Sequence, residues 1–405
     1  MEEKLPLSGY RVADFGWVWA GTLLGSILGS YGAEVIKIES KKRIDGMRFG
    51  KVFELGEGLE KNTFFQNLNR NKLSANLNIS TEQGVKLFKD LVRKCDIVIE
   101  NFSPGTLEHR GLDYQNIIKI KPDIIMLSLS PMGQFGPLSR LDTYAPIISA
   151  LSGIDSMVGY TGESPIGFKH AYADVVASMC GLFAVLAALR HHSKTGEGQY
   201  IDLSQGEAVM PAMGAAFIEY EMNGRITGTQ GNSSKIMAPH GIYSCMGNDQ
   251  WVSIAVKTEE EWQNLCYIIE KPEWAKESRF DNVEKRIALQ KELDDQISKW
   301  TTKLDKYEVA KNLQNKGIAA APVLTTEGLF LDPGMNERKV FVEVDHPING
   351  NTVLYNWPWK ISPIDKNKRM RHAPILGESN SYVFKDILGL TEEEIQKFIA
   401  DEVIY

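Results

Sequence analysis

Residues 10–40 read YRVADFGWVWAGTLLGSILGSYGAEVIKIES, and the order of strand and helix signals in them decides the fold. YRVADFG is a short apolar run, GTLLGSILGSYG is a helix candidate, and AEVIKIES is a second strand-like run. Strand, helix, strand is the rhythm of a parallel, doubly wound sheet. The pattern continues with a helix from about Thr81 to Lys94, a strand in DIVIENF (96–102), a helix over Tyr114 to Lys121 closed by Pro122, and a buried strand in DIIMLSLS (123–130). After the Gly/Pro loop PMGQFGPLSR (131–140), a helix runs from Asp174 to His192, apolar nearly all round, followed by the strand QYIDLS (199–204) and a helix over Gln205 to Met222.

The character changes near Asn223. NGRITGTQGNSSK (223–235) is linker-like, and GIYSCMGNDQWVSIAV (241–256) reads as two strands joined at a Gly-Asn-Asp turn. Helices over Glu259 to Ile269, Val283 to Thr301 and Lys306 to Lys316 surround the apolar run GIAAAPVL (317–324). The expected organisation is therefore an α/β chain: residues 1–223 form a large domain, 224–325 a smaller one, and 326–405 return to the first. A capping box at Thr391 and Glu394 opens the last helix. At 405 residues the chain has the length for two cores, since single cores stop growing near about 250–300 residues.

Charge and cysteine content narrow the function. A net charge of −7 leaves no basic footprint for nucleic acid or an anionic membrane, although one basic pocket suffices for a phosphorylated ligand. Cys95, Cys180, Cys245 and Cys266 lie far apart, with no CxxC pair and no metal-ligand spacing, which suits free thiols in a reducing compartment. MEEKLPLSGYRV lacks the basic start and apolar core of a signal peptide, and the apolar stretch Val175 to Leu189 falls short of the roughly 18 residues of a membrane span. A cytoplasmic protein with no metal is the expectation.

The turn after the first strand is not a dinucleotide fingerprint: Gly16, Gly21 and Gly25 do not form GxGxxG, and Trp17 and Trp19 occupy the place where backbone would approach a pyrophosphate. Those tryptophans serve either as packing for the turn or as walls of an acyl pocket above the strand ends. NFSPGTLEHRGL (101–112) sets Asn101, Phe102 and Arg110 around a second strand-end loop, where Phe can stack on a heterocycle, Asn can bond its edge and Arg can neutralise a phosphate. Asp174, at the start of the apolar helix, either caps it or uses the same dipole and free amides to stay ionised as a nucleophile toward a thioester. His170, four residues earlier, lies in a loop and reads as structural; His191 and His192 suit a helix C-terminus. No GxSxG, GxxxxGK[ST] or HExxH motif occurs. The residues alone describe an α/β enzyme with a strand-end site for a nucleotide-bearing ligand.

Seven segments in order resemble the class III CoA-transferase and acyl-CoA racemase family: LSGYRVADFGWVWAG, GAEVIKIE, CDIVIENFSPGTLEHRGLDY, SLSPMGQFGP, AYADVVASMCGLFAVLAAL, GEGQYIDLS and LGLTEEEI. The resemblance spans nearly the whole chain. It implies a large Rossmann-like domain, a small domain and an interlocked dimer, either of identical chains or of two homologous ones. It implies that Asp174 is the catalytic carboxylate, that coenzyme A is bound near Val18, Leu77, Asn101, Phe102 and Arg110 as a substrate thioester, and that no cofactor is held permanently. The implied chemistry runs through an aspartyl-acyl anhydride and an aspartyl-CoA thioester.

Departures from the family pattern bear on the substrate. Formyl-transferring members carry a glutamine where this chain has Trp19 and a glycine-rich loop where it has KIMAPHGIY (235–243), which argues against a tiny substrate. Ser40 and Ser80 replace basic residues seen near the adenosine in some relatives, with Lys41, Lys42, Arg43 and Lys72 close by. The racemase branch has a proton-shuttling His near the position of Tyr144, a poor match for that role. Trp17, Trp19, Tyr144, Met237 and His240 outline a pocket for an acid larger than formate or oxalate, aryl- or alkyl-substituted, with succinyl-CoA as a plausible donor. Racemisation, or a non-catalytic CoA-binding subunit of a heteromeric enzyme, is the alternative.

Overall fold

A computed structural model describes residues 5–49, 58–362 and 370–405. Residues 1–4 of the N-terminal run discussed above therefore lie outside the described residues. Two compact units emerge: one comprises residues 1–155, 167–225 and 337–405, the other 156–166 and 226–336.

The first unit is built on a six-stranded sheet of β1 (Arg11–Phe15), β2 (Glu34–Glu39), β3 (Lys72–Asn76), β4 (Ile97–Glu100), β5 (Ile125–Ser130) and β6 (Gln199–Ser204). The strands are all parallel and follow the order β3-β2-β1-β4-β5-β6. This is the mixed α/β, Rossmann-like sheet that the sequence leads one to expect. Side chains alternate between its faces. Ala13, Phe15, Ile36, Ile38, Val98 and Met126 bury one face against Leu87, Phe88, Leu91 and Val92. Val12, Val35, Ile97, Ile99, Ile125 and Leu127 bury the other against Leu23, Leu24, Ile27, Leu28, Val185 and Leu189. The helices of this unit include α1 (Ala20–Ser30), α2 (Thr63–Asn69), α3 (Glu82–Val92), α4 (Tyr114–Ile117), α5 (Ala145–Ser152), α6 (Tyr172–Thr195), α7 (Gln205–Val209) and α8 (Gly214–Asn223).

Three expectations are corrected here. The single helix expected over 205–222 is α7 and α8 separated by a 3-10 turn at Met210–Met213, because Pro211 has no amide to continue the helical ladder. Asp174 does not cap α6: the helix begins at Tyr172 after Ala171, which makes no side-chain cap, and Asp174 is its third residue. The α6 helix also extends beyond the apolar stretch Val175 to Leu189 at both ends. Its 24 residues are long and apolar enough to cross a membrane by length and composition alone. One side of it, with Ala173, Ala177, Ser178, Gly181, Val185, Ala188 and Leu189, is buried inside the unit, while Val175, Phe183 and Leu186 are exposed.

The second unit has an antiparallel sheet of β7 (His240–Ser244), β8 (Trp251–Ala255) and β9 (Ala319–Pro322). Its helices include α9 (Glu259–Ile268), α10 (Val283–Ala288), α11 (Gln290–Thr301) and α12 (Lys306–Gln314), packed around Trp262, Leu265, Phe280, Leu293, Ile297 and Leu313. The single helix expected over 283–301 is two, parted at Leu289. The return segment supplies the hairpin β10 (Phe341–His346) and β11 (Gly350–Tyr355) to the first unit.

Candidate active site

In an open parallel sheet ligands collect beyond the carboxyl ends of the strands where the winding reverses. Here that point lies between β1 and β4. The loops leaving these strands are tied together by Asn101, whose Oδ1 accepts from Trp17 N–H at 2.8 Å and whose Nδ2 donates to the Trp17 carbonyl at 2.9 Å. At the foot of the second loop the Phe102 amide donates to Glu100 Oε2 at 2.8 Å, and burial pushes the Glu100 carboxyl up to about 7.

A buried set of charges fixes the first loop from below. Asp14 pairs with Lys72 at 2.7 Å and accepts the Gly16 amide at 2.6 Å. Lys37 donates to the Gly16 carbonyl at 2.5 Å and to Asp45 at 3.0 Å, with both side chains fully buried. Asp45 in turn accepts the Val18 amide at 3.3 Å and is held through its own amide by Glu39, which pairs with Arg48. A Cβ on Gly16 would lie 2.6 Å from the Gly21 carbonyl carbon, so only glycine lets the loop close on α1. Val18 takes a left-handed φ of 60°, a conformation that costs a β-branched residue roughly 1–2 kcal/mol and is found where surrounding structure imposes it.

Two adjoining cavities result. The first, about 440 Å³, is lined by Trp17, Val18, Trp19, Asn101, Phe102, Tyr144, Ile148, Asp174 and Gln205. The second, about 310 Å³, is lined by Leu77, Phe102, Arg110, Lys42 and Ser80. Trp17, Arg43, Phe102 and Thr106 line both, so the cavities share a wall. Aromatic contacts stiffen that wall: Trp17 meets Phe102 edge-on at 5.7 Å, Arg43 lies 5.3 Å above the Trp17 ring, and Trp19 packs on Phe64 at 4.4 Å. Arg110 donates to the Thr106 carbonyl at 2.8 Å.

Asp174 reaches the first cavity from the first turn of α6. Its Oδ1 accepts a 2.8 Å hydrogen bond from Gln205 Nε2, and no hydrogen bond reaches Oδ2 among the described residues. Burial pushes the carboxyl up to about 6, against the opposing pull of the Gln205 bond. A carboxylate partly withdrawn from water, with one oxygen free of any described hydrogen bond, is suited to nucleophilic attack.

Nine of the eleven residues named from sequence for the site thus line these two cavities. Met237 lies in the second unit and lines neither, and His240 does not join them. It stands at the start of β7 in the second unit, with Nδ1 2.6 Å from the Asn232 carbonyl, lining a separate cavity of about 910 Å³. His170 is exposed and lines neither cavity. Sequence reasoning missed Gln205 and Asp45. Gln205 was findable, because it immediately follows a strand and so sits at a strand's carboxyl end; Asp45 carries no such signal. Among the described residues no group of three or more His, Cys, Asp or Glu side chains is placed to hold a metal.

Comparison with known proteins agrees with this architecture. The family described as CoA-transferase family III matches residues 7–380. The alpha subunit of succinyl-CoA–L-malate CoA-transferase from Chloroflexus aurantiacus is 33% identical over 100% of this chain and 94% of its own length. The beta subunit of that enzyme is 31% identical over 99% of this chain and 98% of its own. A CaiB/BaiF family protein from Brucella suis superimposes with a TM-score of 0.85 at 26% identity, covering 95% of this chain and 100% of that one. With the sheet order, the strand-end cavities and a family match across most of its length, the chain belongs to CoA-transferase family III and is a CoA-transferase.

Proposed function

We propose that the protein moves CoA from an acyl-CoA donor, succinyl-CoA being the first to test, to a free carboxylic acid larger than formate or oxalate, with Asp174 as the nucleophile. The observation that carries this is the Asp174 carboxylate itself, desolvated, singly hydrogen-bonded and opening on a cavity walled by Trp17, Trp19 and Tyr144. Attack of Asp174 on the thioester gives an aspartyl-acyl anhydride and CoA thiolate, conserving the thioester's energy without ATP. The second cavity, with Lys42, Arg43 and Arg110 on its rim and Phe102 and Leu77 in its walls, suits the phosphates and adenine of CoA. The relatives named for succinyl-CoA and L-malate support a dicarboxylic pair.

The proposed assembly is a dimer of two copies of this chain in the cytoplasm. Phe183 on α6 and Phe217, Ile218, Tyr220 and Met222 on α8 are all more than half exposed, apolar side chains that a second copy would cover. A monomer in solution, or activity appearing only on adding a homologous chain, would replace the homodimer.

The activity test is exchange of labelled succinate into succinyl-CoA. Exchange by the wild type and its loss in Asp174→Ala support transfer. Solvent deuterium entering the α-carbon of a 2-methylacyl-CoA without exchange of acid would replace it with racemisation.

A further inference from the structure

In the proposed transfer Asp174 is attacked as well as attacking. In the first step Oδ2 bonds to the acyl carbon, the C–S bond breaks, and CoA leaves as thiolate. In the second the thiolate sulfur bonds to Asp174 Cγ, and the electron pair of the Cγ–Oδ1 double bond moves onto Oδ1. Collapse of that intermediate restores the carbonyl, breaks the Cγ–Oδ2 bond and releases the donor acid as its carboxylate, leaving an aspartyl-CoA thioester. The acceptor carboxylate then attacks Cγ in the same way, again placing negative charge on Oδ1 until the thiolate is expelled. A final attack of thiolate on the acceptor's acyl carbon frees Asp174 and the new acyl-CoA.

We propose that Gln205 is a catalytic residue whose side-chain amide stabilises the oxyanion formed on Asp174 Oδ1 in the two steps where Cγ is the carbon attacked. This rests on Asp174 being the nucleophile. Gln205 Nε2 lies 2.8 Å from Oδ1, inside the range that oxyanion donors require. The donor is also preorganised. Gln205 is only 5% exposed and opens α7, whose start is pinned by Ser204 Oγ accepting from the Glu207 amide at 3.3 Å and by the Gly206 amide donating to the Pro131 carbonyl at 3.0 Å. A Cβ at Gly206 would stand 2.8 Å from Met132 Sδ, so a bulkier residue there would press on the anchor. On the other side the Ser178 hydroxyl donates to the Asp174 carbonyl at 2.6 Å and holds the nucleophile's own turn.

The two carboxylate oxygens therefore have different duties. Oδ2, without a described partner, makes and breaks bonds; Oδ1 stays in the amide's grip. In the anhydride Oδ1 is a neutral carbonyl oxygen, and in the tetrahedral species it carries a full charge, so the Gln205 bond strengthens toward that transition state. During the first step charge flows the other way, from Asp174 onto the substrate. Removing the amide is therefore expected to spare the first step and slow the second.

The test is rapid mixing with succinyl-CoA alone, quenching, and intact-mass analysis that separates the acyl adduct from the CoA adduct. At pH 8, where Asp174 is largely ionised with or without the amide, Gln205→Met, close in shape but without a donor, is expected to form the acyl adduct at about the wild-type rate and the CoA thioester roughly 10²–10³-fold more slowly. Normal acyl-adduct formation doubles as proof that the variant is folded. Gln205→Asn, which keeps the amide but shortens its reach, should show the same split. CoA-thioester formation at the wild-type rate in both variants overturns the proposal. Equal slowing or loss of both adducts in both variants, the mark of a positioning or structural role, also overturns it. Wild-type protein that forms neither adduct instead overturns the nucleophilic role of Asp174, and this proposal with it.

Discussion

Lowering the pH from 7 to 5 is expected to slow acylation of Asp174 about tenfold. Burial holds that carboxyl near a pKa of about 6, and only the ionised form attacks a thioester. About nine-tenths of the protein is then ionised at pH 7 and about one-tenth at pH 5. A solvated aspartate, titrating near about 3.9, would stay more than about nine-tenths ionised across the same range and lose almost no rate. The assay is single-turnover formation of the acyl adduct from succinyl-CoA, because no acceptor acid is present to titrate alongside the protein. A rate constant flat from pH 7 to pH 5 would refute the account of Asp174's environment. Because the Gln205 bond favours the ionised form, Gln205→Met should move the acid limb to higher pH.

Asp174→Asn should be more stable than wild type at pH 8, by at most about 3 kcal/mol, since a folded-state pKa raised by about two units penalises the charged form by that amount. The sign follows from the raised value: the neutral carboxyl's advantage is complete below about pH 4 and lost as pH climbs through 6, so the gap measured by urea unfolding should close at low pH. Asp45→Ala strands the fully buried Lys37 ammonium and frees the Val18 amide; about 3–5 kcal/mol of destabilisation is expected by the same assay. Val18→Asn, better suited to a left-handed φ, should stabilise the fold by about 1 kcal/mol while lowering kcat/KM, because Val18 lines the cavity with Asp174.

The parts of the fold legible in the sequence are those whose burial is apolar. Strands β2 and β4 announce themselves as Val- and Ile-rich runs, β1 and β5 as short apolar runs, and α6 as a long apolar helix, because both faces of a parallel sheet are covered. Strand β3 was missed for the opposite reason. Its sequence, KLSAN, carries Lys72, Ser74 and Asn76, whose burial depends on Asp14 and on Gly377 and Asn380 some three hundred residues away in sequence. The site divides in the same way. Trp17, Asn101, Phe102 and Asp174 were visible because strand ends and helix starts are local features. The charges at Asp14, Lys37, Glu39, Asp45 and Arg48 form their pairs only once β1, β2 and the following turn are side by side. The start of the apolar helix, expected at Asp174, lies two residues earlier, at Tyr172, and nothing in the neighbouring residues marks that start locally.

The most direct test of transfer through Asp174 is peptide mass analysis after incubating the protein with succinyl-CoA and trapping with hydroxylamine. A hydroxamate confined to the peptide carrying Asp174, absent in Asp174→Ala, is the predicted result. A hydroxamate on another residue, or none while labelled succinate still exchanges into succinyl-CoA, would contradict it.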